Sequence, residues 1–151
     1  MKVRFTILGE PASKANSRKL VSFGDRPAII KSTKARNYER DALKQIPIAA
    51  RMRIEGPVKV TLRIWYASER PDLDESVILD CMQDRYGRAT KSGERWLIQA
   101  GVYRNDRQVR EKHVYHFIDR KNPRAEIEIE SIVMQQPALE LPRRETIAEP
   151  F

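Results

Sequence analysis

The chain reads as an α+β protein: one small domain with a mixed or antiparallel sheet and helices packed on one face of it. Three observations predict this. Apolar residues alternate with polar ones at Val3, Phe5 and Ile7, at Val58, Val60, Leu62 and Ile64, and at Ile127 and Ile129, the period of half-buried strands. Between the first two runs, Ala35, Tyr38, Ala42 and Ile46 recur at steps of three and four, the stripe of an amphipathic helix. The order of strand, helix, strand, helices and a closing β-hairpin suits helices gathered on one side of a small sheet. A length of 151 residues supports one core. The domain is expected over 1–133, with 134–151, rich in proline and without a period, as a flexible tail or a segment ordered by a partner.

Each element has a local reason. After the first strand, Gly9 to Arg26 is turn-rich and basic and reads as an irregular arm. Ser32 or Thr33 can cap the first helix, and Pro47 ends or kinks it. Its polar face carries Lys34, Arg36, Arg40 and Lys44. The run PVKVTLRIWYA is the second strand and leads into SERPDLDES, where Pro71 keeps the preceding residue extended. Asp74 is suited to cap a helix over Ser76 to about Asp84, packing through Val77, Ile78, Cys81 and Met82. A basic, glycine-containing insertion, RYGRATKSG, precedes a short helix expected around Glu94 to Ala100, with Gly101 as its stop. HVYHFID and AEIEIESIV close the domain as strands joined by the turn-forming DRKNPR.

Composition narrows the function. No segment approaches the roughly 20 apolar residues of a membrane helix, and the start MKVRFTILGEP is too short and polar for a secretory segment, so a soluble, cytoplasmic protein is expected. A single cysteine, Cys81, offers neither an intrachain disulfide nor a zinc cluster. The net charge of +8 is uneven: residues 1–55 hold 13 Lys and Arg against 5 Asp and Glu, whereas residues 56–151 hold 16 of each. A basic third beside a neutral remainder is an electrostatic footprint for nucleic-acid phosphates. Lys14, Arg18 and Lys19 in the arm, and Lys31, Lys34, Arg36 and Arg40 around the helix start, are the candidate contacts. Cations near a helix N-terminus oppose its dipole, so folding alone gives them no reason to be there.

The candidate chemistry is acidic. Asp72 and Asp74 lie two apart in an extended segment and emerge on one side, and Asp106 follows in a loop able to fold back to them. Hard oxygen ligands of this kind suit Mg²⁺ or Mn²⁺, which in phosphodiester hydrolysis activate water and stabilise the leaving oxygen. Aspartate is also common at helix starts and turns for capping alone, so this spacing by itself leaves both roles open. Asp80 and Asp84 read as surface or helix-end groups. Asp119 and Lys121 superficially match the D-x-K of another nuclease class, but DRKNPR reads more simply as a turn. His113 and His116 are read as structural or rim residues, and Trp65 and Trp96 as core or dimer-interface residues.

RPDLDES, followed by a helix, QAG and NDRQV, resembles the RusA-type Holliday-junction resolvases, a family common in phages and prophages. The N-terminal strand entering a Gly/Pro turn, KSTKARNYER before the first helix, and EKHVYHFIDRKNPRAEIEIE near the end match the same layout, so the resemblance covers most of residues 3–131. It implies an intimate homodimer and a Mg²⁺- or Mn²⁺-dependent endonuclease that resolves four-way DNA junctions by paired nicks, in recombination and repair. It also implies Asp72, Asp74 and Asp106 as catalytic metal ligands. Two positions depart from the family: Glu75 stands where asparagine is usual, and Ile78 where a lysine is. Three readings follow: Lys112, Arg107 or Lys91 substitutes for that lysine, the metals suffice alone, or cleavage is impaired; the alternative function is a branched-DNA-binding protein of the same fold without catalysis.

Overall fold

The computed structural model describes residues 1–13, 18–69 and 73–133, so Lys14, Asp72 and the expected tail lie outside the described residues. The first strand, β1 (Lys2–Leu8), turns its alternating side chains inward, with Phe5 and Ile7 buried. β2 (Arg18–Phe23) and β3 (Arg26–Lys31) form an antiparallel ribbon where an irregular arm was expected. The turn signals at Gly24 and Asp25 join two short β-rich runs, and Gly24 takes φ 63°, a value that favours glycine in a tight hairpin turn.

The first helix, α1 (Thr33–Gln45), is capped by Ser32, whose hydroxyl accepts from the Ala35 N–H at 3.2 Å, and it stops before Pro47. Its stripe of Ala35, Tyr38, Ala42 and Ile46 is buried as the spacing predicts. β4 (Val58–Tyr66) is the best-covered strand, with Val58, Val60, Leu62, Ile64 and Tyr66 all buried. The second helix, α2 (Ser76–Cys81), is shorter than expected. Asp74 does cap it, from one position outside: its carboxylate accepts from the Ser76 N–H at 3.0 Å and the Ser76 hydroxyl at 2.8 Å, while Glu75 occupies the cap position.

Beyond α2, the expected helix over 94–100 is absent. β5 (Arg85–Tyr86) and β6 (Leu97–Gln99) pair instead as a small antiparallel hairpin. The Thr90–Gly93 turn and the Trp96-Leu97-Ile98 run, which favours strand over helix, account for the difference. Gly101 is a packing residue here: a Cβ would come within 2.4–2.6 Å of the backbone of Met82, Gln83 and Asp84. Trp96 is 56% exposed and lies over Gly87, so it is not a core residue.

The last strands, β7 (Val109–Ile118) and β8 (Arg124–Ser131), are consecutive but not neighbours. The four-stranded sheet runs β1-β8-β4-β7; β8 is antiparallel to both β1 and β4, and β4 is parallel to β7. The 119–123 connection therefore passes the end of β4, where the Asp119 N–H donates to the Tyr66 carbonyl at 2.8 Å, and no hairpin forms. A strand apolar along its whole inner face is most stable with a partner on each side, and β4 takes the centre. One face of the sheet is sealed by α1 and α2; the other carries Arg4, Arg63, Glu126 and Glu128 with a stacked Trp65–Phe117 pair at 4.9 Å. The fold is thus α+β with a mixed sheet and helices on one side. No helix among the described residues is long and apolar enough to cross a membrane.

Candidate functional site

The acidic residues gather around the two ends of α2. At its start, Asp74 and Glu75 lie beside Tyr66, whose pKa is pushed up to about 12 by burial, with the nearby charges of Asp74, Glu75 and Glu10 adding to it against a backbone N–H of Asp74. Lys112, from β7, donates to the Glu75 carboxylate at 2.5 Å. Of the three cations that the resemblance suggested as substitutes at the Ile78 position, Lys112 is the one bonded at this end of α2. Arg107 projects from the short 3₁₀ turn over Asp106–Gln108, beside Pro57 and Arg110, and Lys91 sits exposed in the Thr90–Gly93 turn. Ile78 is fully buried among the core residues of α2, so a lysine there would lie on the core side of the helix.

Toward the far end of α2, Asp80 is half-buried and its carboxyl is held above the ordinary carboxylate value. Burial is the main cause, and the charges of Asp106 and Glu39 add to it against Lys31 and Arg18. Asp106 reaches this position because Asn105 caps the 3₁₀ turn, accepting from the Arg107 N–H at 2.9 Å, while the Asp106 N–H donates to Gln83 Oε1 at 3.3 Å. The loop carrying Asp106, expected to return to Asp72 and Asp74, lies against Gln83 just past the end of α2, and the carboxylate that feels its charge there is Asp80. Sequence reasoning set Asp80 aside as a surface group because an offset of six from Asp74 gives no helical face in common. No local signal marks it, because the charged groups that act on Asp80 come from other elements.

Asp84 has a structural role instead. Its side chain is fully buried and accepts two bonds from Arg53 on Oδ2, at 2.8 and 3.0 Å, and one from the Gly101 N–H on Oδ1 at 2.8 Å. Burial alone would raise its pKa, but Arg53, Gly101 and Tyr86 together hold it below the ordinary value. Arg53 itself sits at φ 49°, a left-handed conformation that costs a non-glycine residue about 1 kcal/mol, and the pair with Asp84 holds it there.

A cationic rim surrounds Asp80. Lys31, at the base of the ribbon, and Arg85, on β5, both donate to the buried Glu39 carboxylate at 2.6 Å; burial is the largest single influence and raises its pKa, but the two cations together outweigh it and hold the pKa below the ordinary value. A cleft of about 300 Å³ opens between Lys31, Glu39, Asp80, Gln83 and Arg85. Arg18 and Lys19 lie on β2, and Lys34, Arg36 and Arg40 on the exposed face of α1, with Arg36 and Arg40 bordering the neighbouring groove. Arg85 was not among the sequence candidates, because nothing in the basic insertion distinguishes it from Arg88 or Arg95.

Among the described residues no three His, Cys, Asp or Glu side chains are gathered closely enough to hold a metal ion. The donor chemistry nonetheless suits a hard divalent cation. Asp80 and Asp106 are like charges in mutual reach, and all donors here are carboxylate oxygens. Cys81 is buried with its thiol pushed up to about 12, mainly by burial, and is no nucleophile at neutral pH. Asp119 accepts from the Lys121 and Asn122 N–H groups at 3.1 and 3.2 Å and pairs with Arg124, the work of a turn residue. Neither a family model nor a curated protein matches this chain.

Proposed function

We propose that the chain is a divalent-metal-dependent, structure-selective endodeoxyribonuclease of RusA type, acting as a homodimer on four-way DNA junctions. The observation that carries this reading is the Asp106 turn tied through Gln83 to the cleft that Asp80 lines beside Lys31 and Arg85. Carboxylates that repel one another inside a basic rim suit a cation bound between protein and phosphate. Asp72, Asp74 and Asp106, the family's ligands, would hold Mg²⁺ or Mn²⁺, with Asp80 as a further donor. When bound, the ion supplies the positive charge that lets water attack a phosphodiester.

The residues of the chain would do the rest. Lys31, Arg18, Arg36 and Arg40 would hold the backbone of branched double-stranded DNA, and Lys112, paired with Glu75, would put a cation beside the start of α2 in place of the lysine that the family has at the Ile78 position. Gln83 and Asn105 keep the Asp106 segment in register with α2. A homodimer suits the near-twofold symmetry of a four-way junction. The unpaired edge of β7, ten residues long with Tyr115, Phe117 and Ile118 exposed, supports a second copy docking there.

A labelled synthetic junction, set beside a linear duplex with Mg²⁺, Mn²⁺ or EDTA, tests the proposal. Paired symmetric nicks in the junction alone, absent with EDTA and in Asp74→Asn, are expected. One observation favours a second reading, a branched-DNA-binding protein without catalysis: the family's lysine position is the buried Ile78. Tight junction binding without nicks in either metal would select it.

A further inference from the structure

The β2–β3 ribbon exposes far more apolar surface than a solvent-facing hairpin needs. Leu20 is 72% exposed, Ile29 67% and Phe23 66%. Leu20 and Ile29 are cross-strand partners, so their side chains lie side by side on one face, and Phe23 flanks the Gly24 turn at the tip. The two strands pair with each other, and neither packs extensively on another element. Nothing in the fold requires these side chains to be apolar; a ribbon of alternating polar residues would pair equally well.

Charge identifies the partner. Arg18, Lys19, Arg26 and Lys31 border the apolar residues, against a single acid, Asp25, within the ribbon. Arg18 and Lys31 are themselves cross-strand partners at its base, on the same face as Leu20 and Ile29, and both act electrostatically on Asp80. The exposed face thus rises directly from the acidic cleft. A two-stranded ribbon has the width of the DNA major groove, where apolar side chains meet thymine methyls and base edges while flanking cations meet phosphates.

We infer that the β2–β3 ribbon inserts into a groove of the DNA, with Leu20 and Ile29 against base edges, Phe23 at the leading end, and Arg18, Lys19 and Arg26 on the flanking phosphates. This rests on the nucleic-acid reading of the site and adds to it a contact that is not electrostatic. The ribbon would fix which phosphate reaches Asp80 and Asp106, because its base and that cleft share Lys31.

The two kinds of contact respond differently to salt. Binding of a labelled four-way junction in EDTA would be measured across a range of salt concentrations for wild type, Leu20→Ala/Ile29→Ala and Arg26→Ala. The double variant should bind about tenfold more weakly with an unchanged salt slope, since it loses apolar contact alone. Arg26→Ala should make the slope shallower by about one. Light scattering and thermal melting of the same proteins should match wild type, because these side chains support neither fold nor assembly. Junction affinity unchanged in the double variant would overturn the inference while leaving the nuclease reading intact. So would a change in its oligomeric state, which would give the apolar face to a second copy of the chain. A wild type that binds neither junction nor duplex would overturn the nucleic-acid reading itself.

Discussion

Asp80 and Asp84 stand four residues apart, and the fold treats them in opposite ways. Asp84 is sealed from water but takes Arg53, the Gly101 N–H and Tyr86 as partners, so its charge is held firmly. Asp80 is only half-buried, yet its charge is the less favourable of the two: burial raises its pKa first, Asp106 and Glu39 add to that, and no hydrogen bond of the kind Asp84 has offsets them as Lys31 and Arg18 pull the other way. Burial depth therefore does not decide how well each of these two carboxylates holds its charge. What separates them is whether the protein supplies the counter-charge or leaves it to be supplied.

That contrast can be broken most severely at Asp84. Asp84→Ala leaves Arg53 unpaired in a left-handed conformation and should cost about 3 kcal/mol, the low end for a broken buried pair because Arg53 is partly exposed. Urea unfolding would measure it, and a loss under about 1 kcal/mol would refute the structural role. Next in size is the response to metal. Saturating Mn²⁺ should raise wild-type stability by about 2–3 kcal/mol at a hundredfold excess over Kd. Asp106→Asn and Asp80→Asn should abolish most of that rise; an equal rise in all three proteins would separate metal binding from this pair.

A smaller effect sharpens the comparison in pH. With its pKa lowered from 3.8, Asp84 contributes stability that is complete above that value and lost as pH falls through the folded one. Asp80, raised from 3.8, has the opposite sign: its ionisation costs stability above the folded value and is relieved as pH falls through it. Acid unfolding of Asp84→Asn should therefore lack a component that wild type shows, while Asp80→Asn should be harder to distinguish from wild type at low pH than at neutral pH. The smallest expected effect is a gain of about 0.5 kcal/mol at neutral pH for metal-free Asp80→Asn, read by the same denaturant series. A loss of stability there would place Asp80 with Asp84.

Strands and helices with a clear period were legible before the structure: β1, β4, β8 and the buried stripe of α1 follow from spacing, because each element seals one face against one core. Pairing was less legible. β7 and β8 read as a hairpin from the turn chemistry of DRKNPR, yet local turn signals do not say which strand will lie between two others. The 94–100 segment misled for a related reason, since seven residues, two turns at most, barely display a helical period. In the site, Asp106 folding back toward α2 was foreseeable from its loop, whereas Asp80 was hidden because its partners, Lys31 and Asp106, come from positions 49 and 26 residues away on either side.

The lone buried thiol has a practical consequence. Cys81 is the only cysteine of the chain, fully covered by the core and protonated far above neutral pH. A cysteine introduced at an exposed position such as Asp25 would thus be the single thiol that a maleimide dye or spin label can reach. The native chain comes already prepared for distance measurements from the ribbon tip, with no background site to remove first.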